Sequence, residues 1–163
     1  SFWGAELEEA AQRLATILVD ESADVLTIYD EDGTYGHPDH IQVHRVGLRA
    51  AEIAGTPRVF ESVVNRDELM RQMAAMTAAG ETPPIDPVAE NLGISEELIT
   101  HAIDVRPYLE TKRKAMAAHQ SQIPETSFFL VMPPPVFEQA FGTEYFVLRG
   151  ATPDGTLADD LDL

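Results

Sequence analysis

Apolar residues recur at helical spacing from Leu7 through Ala10, Ala11, Leu14 and Ile17 to Leu18, which predicts an amphipathic helix over about 5–20. The pattern then changes. "DVLTIY" (24–29) is short, rich in β-branched residues and uncharged after Asp24, and it reads as a strand buried on both faces, as in parallel sheets. "DEDGTYG" supplies turn residues, and Pro38 suits the first turn of a second helix that should run to about Ala54 and stop at Gly55. "PRVFESVV" (57–64) predicts a second strand, and "NRDELMRQMAAMTAA" (65–79) a helix capped by Asn65.

Helix, strand, helix, strand, helix is the order of an α/β, Rossmann-like domain with a mostly parallel sheet and flanking helices. Such domains usually open on a strand. This chain opens on a helix, so one or more N-terminal strands are expected to be missing from it. Past Gly80 the alternation weakens. "ETPPIDP" (81–87) reads as a loop and "ELITHAIDV" (97–105) as a further strand. "PYLETKRKAMAAHQSQI" (107–123) reads as a helix with Tyr108, Lys112, Ala115, His119 and Gln122 along one side. "MPPPVFEQAF" (132–141) begins a short helix, and "EYFVLRG" (144–150) is the last strand.

Composition narrows the function more than the fold. With 163 residues, 44% of them apolar, the chain suits one domain over 1–150, followed by an acidic, flexible tail over 151–163. The 28 acidic residues against 11 basic ones give a net charge of −17, which repels nucleic-acid phosphates and anionic lipid surfaces. No apolar run approaches the ~18 residues of a membrane span. The absence of cysteine removes disulfides, thiolate nucleophiles and cysteine-based zinc sites, and fits a cytoplasmic protein.

Three of the five histidines fall within "YGHPDHIQVH" (35–44), directly after the first strand and at the start of a helix. In open α/β sheets ligands bind at this end of the strands, and a helix N-terminus favours an anion or a developing oxyanion. His37, His40 and His44 share one helical face, and His40 with His44 forms an i, i+4 pair able to chelate zinc. Asp39 could hold a neighbouring imidazole in its charged form. Two bland readings stand beside this: capping and packing histidines, or a self-contained structural metal site made of His37, His40 and His44.

"GHPDHIQVH", with "DVLTIYDEDGTYGHPDHIQVHRVGLRAAE" around it and "KRKAMAAHQSQI" further on, resembles the LmbE/PIG-L family of metal-dependent N-deacetylases, and the resemblance covers most of the chain. It implies a zinc-dependent hydrolase removing an acyl group from a small N-acyl amino sugar of the N-acetylglucosamine type. His40 would be a zinc ligand. His37 would stabilise the oxyanion and protonate the leaving amine, Asp39 would tune His37, and Tyr35 would help polarise the carbonyl. The family's other two zinc ligands and its general base belong to an "HPDDE"-type motif that this sequence lacks, so the chain would carry only part of the site and be inactive alone. His119 and Gln122 resemble a His-x-Ser-Gln stretch found near the family's substrate pocket, against the plainer reading of a polar helix end. The competing reading of the whole is a non-catalytic binding or scaffold domain of the same fold.

Elsewhere the expectations are structural. His101 reads as a surface or satisfied core residue, "MRQMAAM" as helical core or an adaptable interface, and "PPP" (133–135) as a stiff connector. Phe2 and Trp3 are expected to cover apolar surface, and an exposed sheet edge would allow self-association into a homo-oligomer.

Overall fold

The computed structural model of the protein describes residues 1–80, 82 and 92–161; apart from Thr82, the loop expected at 81–87 lies outside the described residues. Helix α1 (Leu7–Asp20), strand β1 (Val25–Tyr29), a short helical turn α2 (Gly33–Gly36), helix α3 (Pro38–Ala54), strand β2 (Arg58–Val63) and helix α4 (Arg66–Ala78) follow the sequence pattern closely. The caps are those expected. Gly55 ends α3 in the left-handed conformation, at φ 73°, and the Asn65 side chain accepts a hydrogen bond from Glu68 N at 3.0 Å to start α4.

The second half is more broken. Strand β3 (His101–Asp104) is shorter than expected, because a 3₁₀ turn occupies Glu96–Leu98. Helix α5 (Leu109–Ala118) is followed by two short helices, α6 (Phe128–Val131) and α7 (Pro134–Phe141), and by strand β4 (Thr143–Leu148). The expected helix over 107–123 thus stops five residues early. His119 is its C-cap, with ψ 49°, and Gln122 lies in the turn beyond, its N–H bonded to His119 O at 2.9 Å. Beyond His119 the chain closes into a turn, with Gln122 N and Ile123 N both donating to His119 O, and Pro124 bars the helix from resuming at Ile123.

Among the described residues the sheet is four-stranded, in the order β1-β2-β4-β3. β1 and β2 are parallel, as the strand–helix–strand pattern requires, but β4 is antiparallel to both β2 and β3. The α/β class is therefore as expected: β1, β2 and β3 run in one direction and β4 runs against them, so the sheet is mixed rather than purely parallel. The last strand enters between β2 and β3, and helical periodicity carries no record of that placement. β1, expected to be buried on both faces, pairs on one side only and leaves Thr27 exposed; burial on both faces belongs instead to β2, where Val59, Phe60 and Glu61 are buried in succession.

α3 lies on the β1–β2 face, where Ile28, Ala51 and Val59 form one cluster. α1 packs on α3 through Ala11, Ala15 and Leu18 against Val46 and Ala50. The helix–sheet approach is close enough that a Cβ added at Gly47 would stand 2.5 Å from Ile28 Cγ2. Ile17, expected on the buried stripe, is exposed, as are Phe2 and Trp3 in good part. Along the free side of β3, Ala158 N donates to Thr100 O and Ala102 N to Ala158 O, so part of the expected acidic tail follows the sheet edge. Among the described residues no helix is long and apolar enough to cross a membrane.

Candidate functional site

The chain leaves β1 at Tyr29 into a turn that few sequences could make. Asp30 is buried, its Oδ1 accepting from Thr34 N at 2.7 Å, and Gly33 N donates to Asp30 O at 3.0 Å. These bonds hold Thr34, a β-branched residue, at φ 70° and ψ −50°, where side chains incur strain. Gly33 has φ +60°, and a Cβ there would stand 2.8 Å from both His40 Cβ and Ile41 N. The turn therefore needs a glycine on two counts, and it brings Tyr35 and His37 back over the first turn of α3.

Four rings gather there. Tyr29 and His40 are stacked, with centroids 4.0 Å apart and planes 4° from parallel. His37 lies 4.8 Å from His40, and Tyr35 meets His40 edge-on at 5.3 Å and His37 at 6.0 Å. Three of the expected site residues, Tyr35, His37 and His40, are thus brought together, with Asp39 beside them.

Hydrogen bonds fix which ring nitrogens carry protons. His37 is the N-cap of α3, and its Nδ1 accepts from Asp39 N at 3.2 Å, which leaves the proton on Nε2. His40 Nδ1 lies 3.2 Å from Gly33 O; a carbonyl only accepts, so Nδ1 carries the proton and Nε2 keeps a lone pair. The two neighbours are opposite tautomers, one presenting an N–H and the other a lone pair. The Asp39 carboxylate accepts from Ser1 Oγ at 2.6 Å and Trp3 N at 2.7 Å. Those bonds, the one from Ser1 foremost, hold its carboxyl below the usual carboxylate range, with the His37 imidazole a lesser influence.

His44, the third histidine, faces inward. It is buried, and its Nδ1 donates to Tyr29 O at 3.0 Å, with Glu61 Oε1 3.5 Å away. Among the described residues no group of three ligand-type side chains could hold a metal, so His37, His40 and His44 do not make a self-contained metal site. His40 alone has the features of a ligand: Nδ1 anchored on a backbone carbonyl and Nε2 available. His101 is a satisfied core residue, buried, edge-on to Phe60, with Nδ1 2.8 Å from Thr100 Oγ1.

Beside the rings, at the carboxyl ends of β1 and β2, is a cavity of about 600 Å³. Tyr29, Ser62, Asn65, Glu68, Gln139 and Tyr145 are among its walls, a polar and aromatic lining suited to a hydroxyl-rich ligand. His119 and Gln122 are exposed on the α5–α6 connection and line neither this cavity nor the ring cluster. Sequence reading missed Tyr29, Asp30, Gly33 and Thr34. The run "YDEDGT" held the signal, since an aspartate before a glycine-bearing turn is a turn-forming pattern.

Fold and site together define an α/β domain with paired histidines of opposite proton character at the carboxyl end of a parallel strand pair. Comparison with curated proteins finds the same segment in enzymes named 1D-myo-inositol 2-acetamido-2-deoxy-α-D-glucopyranoside deacetylase. The protein of that name from Acidothermus cellulolyticus is 36% identical over 158 residues, covering 93% of this chain and 54% of the relative. Those from Thermomonospora curvata and Geodermatophilus obscurus are each 34% identical, over 97% and 99% of this chain and 58% and 61% of their own lengths. No family model matches the chain. The likeness runs through nearly the whole of this chain, which spans somewhat over half the length of the curated relatives it matches.

Proposed function

We propose that the chain forms part of a metal-dependent hydrolase that removes the acyl group from a small N-acyl amino sugar, of the N-acetylglucosaminyl-inositol kind for which its relatives are named. The observation that carries this reading is the opposed hydrogen-bond partners of the two rings, an N–H facing His37 Nδ1 and a carbonyl facing His40 Nδ1. An amide hydrolase needs a donor for the oxyanion and the departing amine, and a separate lone pair for a metal. A scaffold domain needs neither, and that alternative leaves the arrangement unexplained.

His40 Nε2 would be one zinc ligand, the others coming from outside the described residues. Bound zinc, or another divalent ion, would supply Lewis-acid polarisation of the amide carbonyl and a more acidic water. The chain's own residues would act on the carbonyl oxygen and the departing amine. His37 presents Nε2–H toward the carbonyl oxygen as negative charge develops there. To give its Nε2 proton to the amine, His37 must first take a proton on Nδ1, releasing the bond from Asp39 N, and the Asp39 carboxylate is the counter-charge for that imidazolium form. Tyr35, exposed and edge-on to both rings, would add a second donor to the oxyanion. The polar cavity beside Tyr29 would take the sugar hydroxyls, while His119 and Gln122 would reach substrate only at its outer end. The net charge of −17 favours such a neutral small molecule over nucleic acid or an anionic membrane surface, and a cytoplasmic setting fits the lack of cysteine.

In the full-length protein, His40→Ala should lose most bound zinc, whereas His37→Ala should keep it while turnover of an N-acetylglucosaminyl substrate falls by roughly 10²–10³-fold. Metal content by atomic emission, read beside turnover, checks both. Equal metal loss in the two variants would overturn the assignment, and turnover unchanged by chelation would overturn the metal's role.

A further inference from the structure

An imidazole ligand must be fixed in two respects, the direction of its lone pair and the plane of its ring. The bond from His40 Nδ1 to Gly33 O fixes the first but leaves the ring able to rock about that bond. The plane is set by a different residue. Tyr29 lies against the His40 ring at 4.0 Å and 4°, a stack that no rotated ring could keep.

Tyr29 is itself held. As the last residue of β1 it is in register with Ser62 on β2. Its carbonyl accepts from buried His44 Nδ1, one helical turn beyond His40 on the same helix. Glu61, buried on the neighbouring strand, puts Oε1 3.5 Å from that same His44 nitrogen, and Arg149 approaches the same oxygen at 3.3 Å. The strand end is thereby tied to α3 at two levels, by a backbone bond at His44 and by a ring stack at His40. Tyr29 also lines the cavity of about 600 Å³, so the residue stacked on His40 borders the space where a ligand would lie.

We propose that Tyr29 is a positioning residue: its ring, carried on a strand end whose carbonyl is tied to His44, fixes the plane of the His40 imidazole so that Nε2 is presented for ligation. This rests on the reading of His40 as a metal ligand. The test compares Tyr29→Leu, which fills space without a ring, with Tyr29→Phe, which keeps the stack. In the full-length protein, competition with a chromophoric chelator gives the zinc dissociation constant. Tyr29→Leu should weaken zinc binding by about 10–100-fold, the range for residues that orient a ligand. Tyr29→Phe should stay within a few-fold of the unmodified protein. Metal-free NMR supplies a second readout: ring-current shifts of the His40 carbon-bound protons, present in the unmodified chain and in Tyr29→Phe and lost in Tyr29→Leu. If the unmodified full-length protein binds no zinc, the ligand reading fails, and the NMR comparison still decides whether Tyr29 orients the ring. Unchanged zinc affinity in Tyr29→Leu, equal losses in both variants, or unshifted His40 protons in the unmodified chain would each overturn the proposal.

Discussion

Helices α3 and α5 both carry histidines whose sequence surroundings suggest chemistry, and they could hardly be placed more differently. α3 buries Gln42, His44, Val46, Gly47, Ala50 and Ala51, while α5 buries none of its residues. At the start of α3, two histidines are fixed by backbone partners and by rings packed within 5 Å. At the end of α5, His119 and Gln122 are exposed, held only by turn bonds along their own backbone. His37 is exposed, as His119 is, so what sets the α3 pair apart is the bonds to Asp39 N and Gly33 O and the rings packed on them, on a helix that its buried face holds in place.

The largest expected effects test whether the two regions are separate in stability as well as in order. Among the described residues, Phe60 on β2 and Phe137 on α7 are the largest fully buried side chains. Replacing either by alanine should cost about 3–5 kcal/mol. Phe60→Ala should lower the stability of the whole molecule. Phe137 sits 4.8 Å from Phe141 and beneath the Arg113 guanidinium at 4.0 Å, while Arg113 also donates to Leu130 O and Met132 O. Phe137→Ala should therefore loosen α5 to α7 and spare α3. Amide hydrogen exchange distinguishes the cases. If protection in α3 falls as far as in α5, the two regions form one cooperative unit and the contrast drawn from burial does not extend to stability.

A smaller effect sharpens the same comparison inside the β1–α3 turn. Gly33→Ala would combine a left-handed backbone with contacts of 2.8 Å to His40 Cβ and Ile41 N. A loss of about 2–3 kcal/mol is expected, together with altered His40 proton shifts. Gly36 has φ +82° but nothing within 4 Å of an added Cβ, so Gly36→Ala should cost only about 1 kcal/mol. Denaturant unfolding of both variants checks the difference. Equal costs would show that the turn yields around residue 33, and that its rigidity is overstated.

The same contrast explains what the sequence made legible. α1, α3 and β2 bury a face, so their periodicity recorded their boundaries, and Gly55 and Asn65 marked ends that are local in origin. The gathering of Tyr35, His37 and His40 was legible because a strand-to-turn-to-helix step brings near neighbours together. Three things were not. The placement of β4 between β2 and β3 depends on pairing across more than eighty residues. The end of α5 depends on local competition that no buried face resolves. The stack of Tyr29 on His40 depends on the strained turn at Thr34, and strain leaves no periodic trace.

The smallest expected effect concerns Glu61, the buried carboxylate behind the site. Burial pushes its carboxyl above the ordinary 4.5, with Arg149 and then His44 pulling the other way and Asp30 and Glu31 adding to the rise. The Arg149 side chain is about half exposed, so its attraction is screened by solvent and burial prevails. A carboxyl raised in the folded state binds its proton more tightly there than in the unfolded chain. Its contribution is therefore fully present below about pH 4.5 and is lost as pH rises through the higher folded value. Glu61→Gln keeps the shape and removes the titration. Relative to the unmodified chain, the variant should gain stability as pH climbs above 4.5 and level off once the folded carboxyl is ionised. Urea midpoints at a series of pH values give the result directly. A variant that instead loses ground as pH rises would mean that the charge pairing with Arg149 and His44 outweighs burial, and that this region is held by its ion pair and not merely tolerant of it.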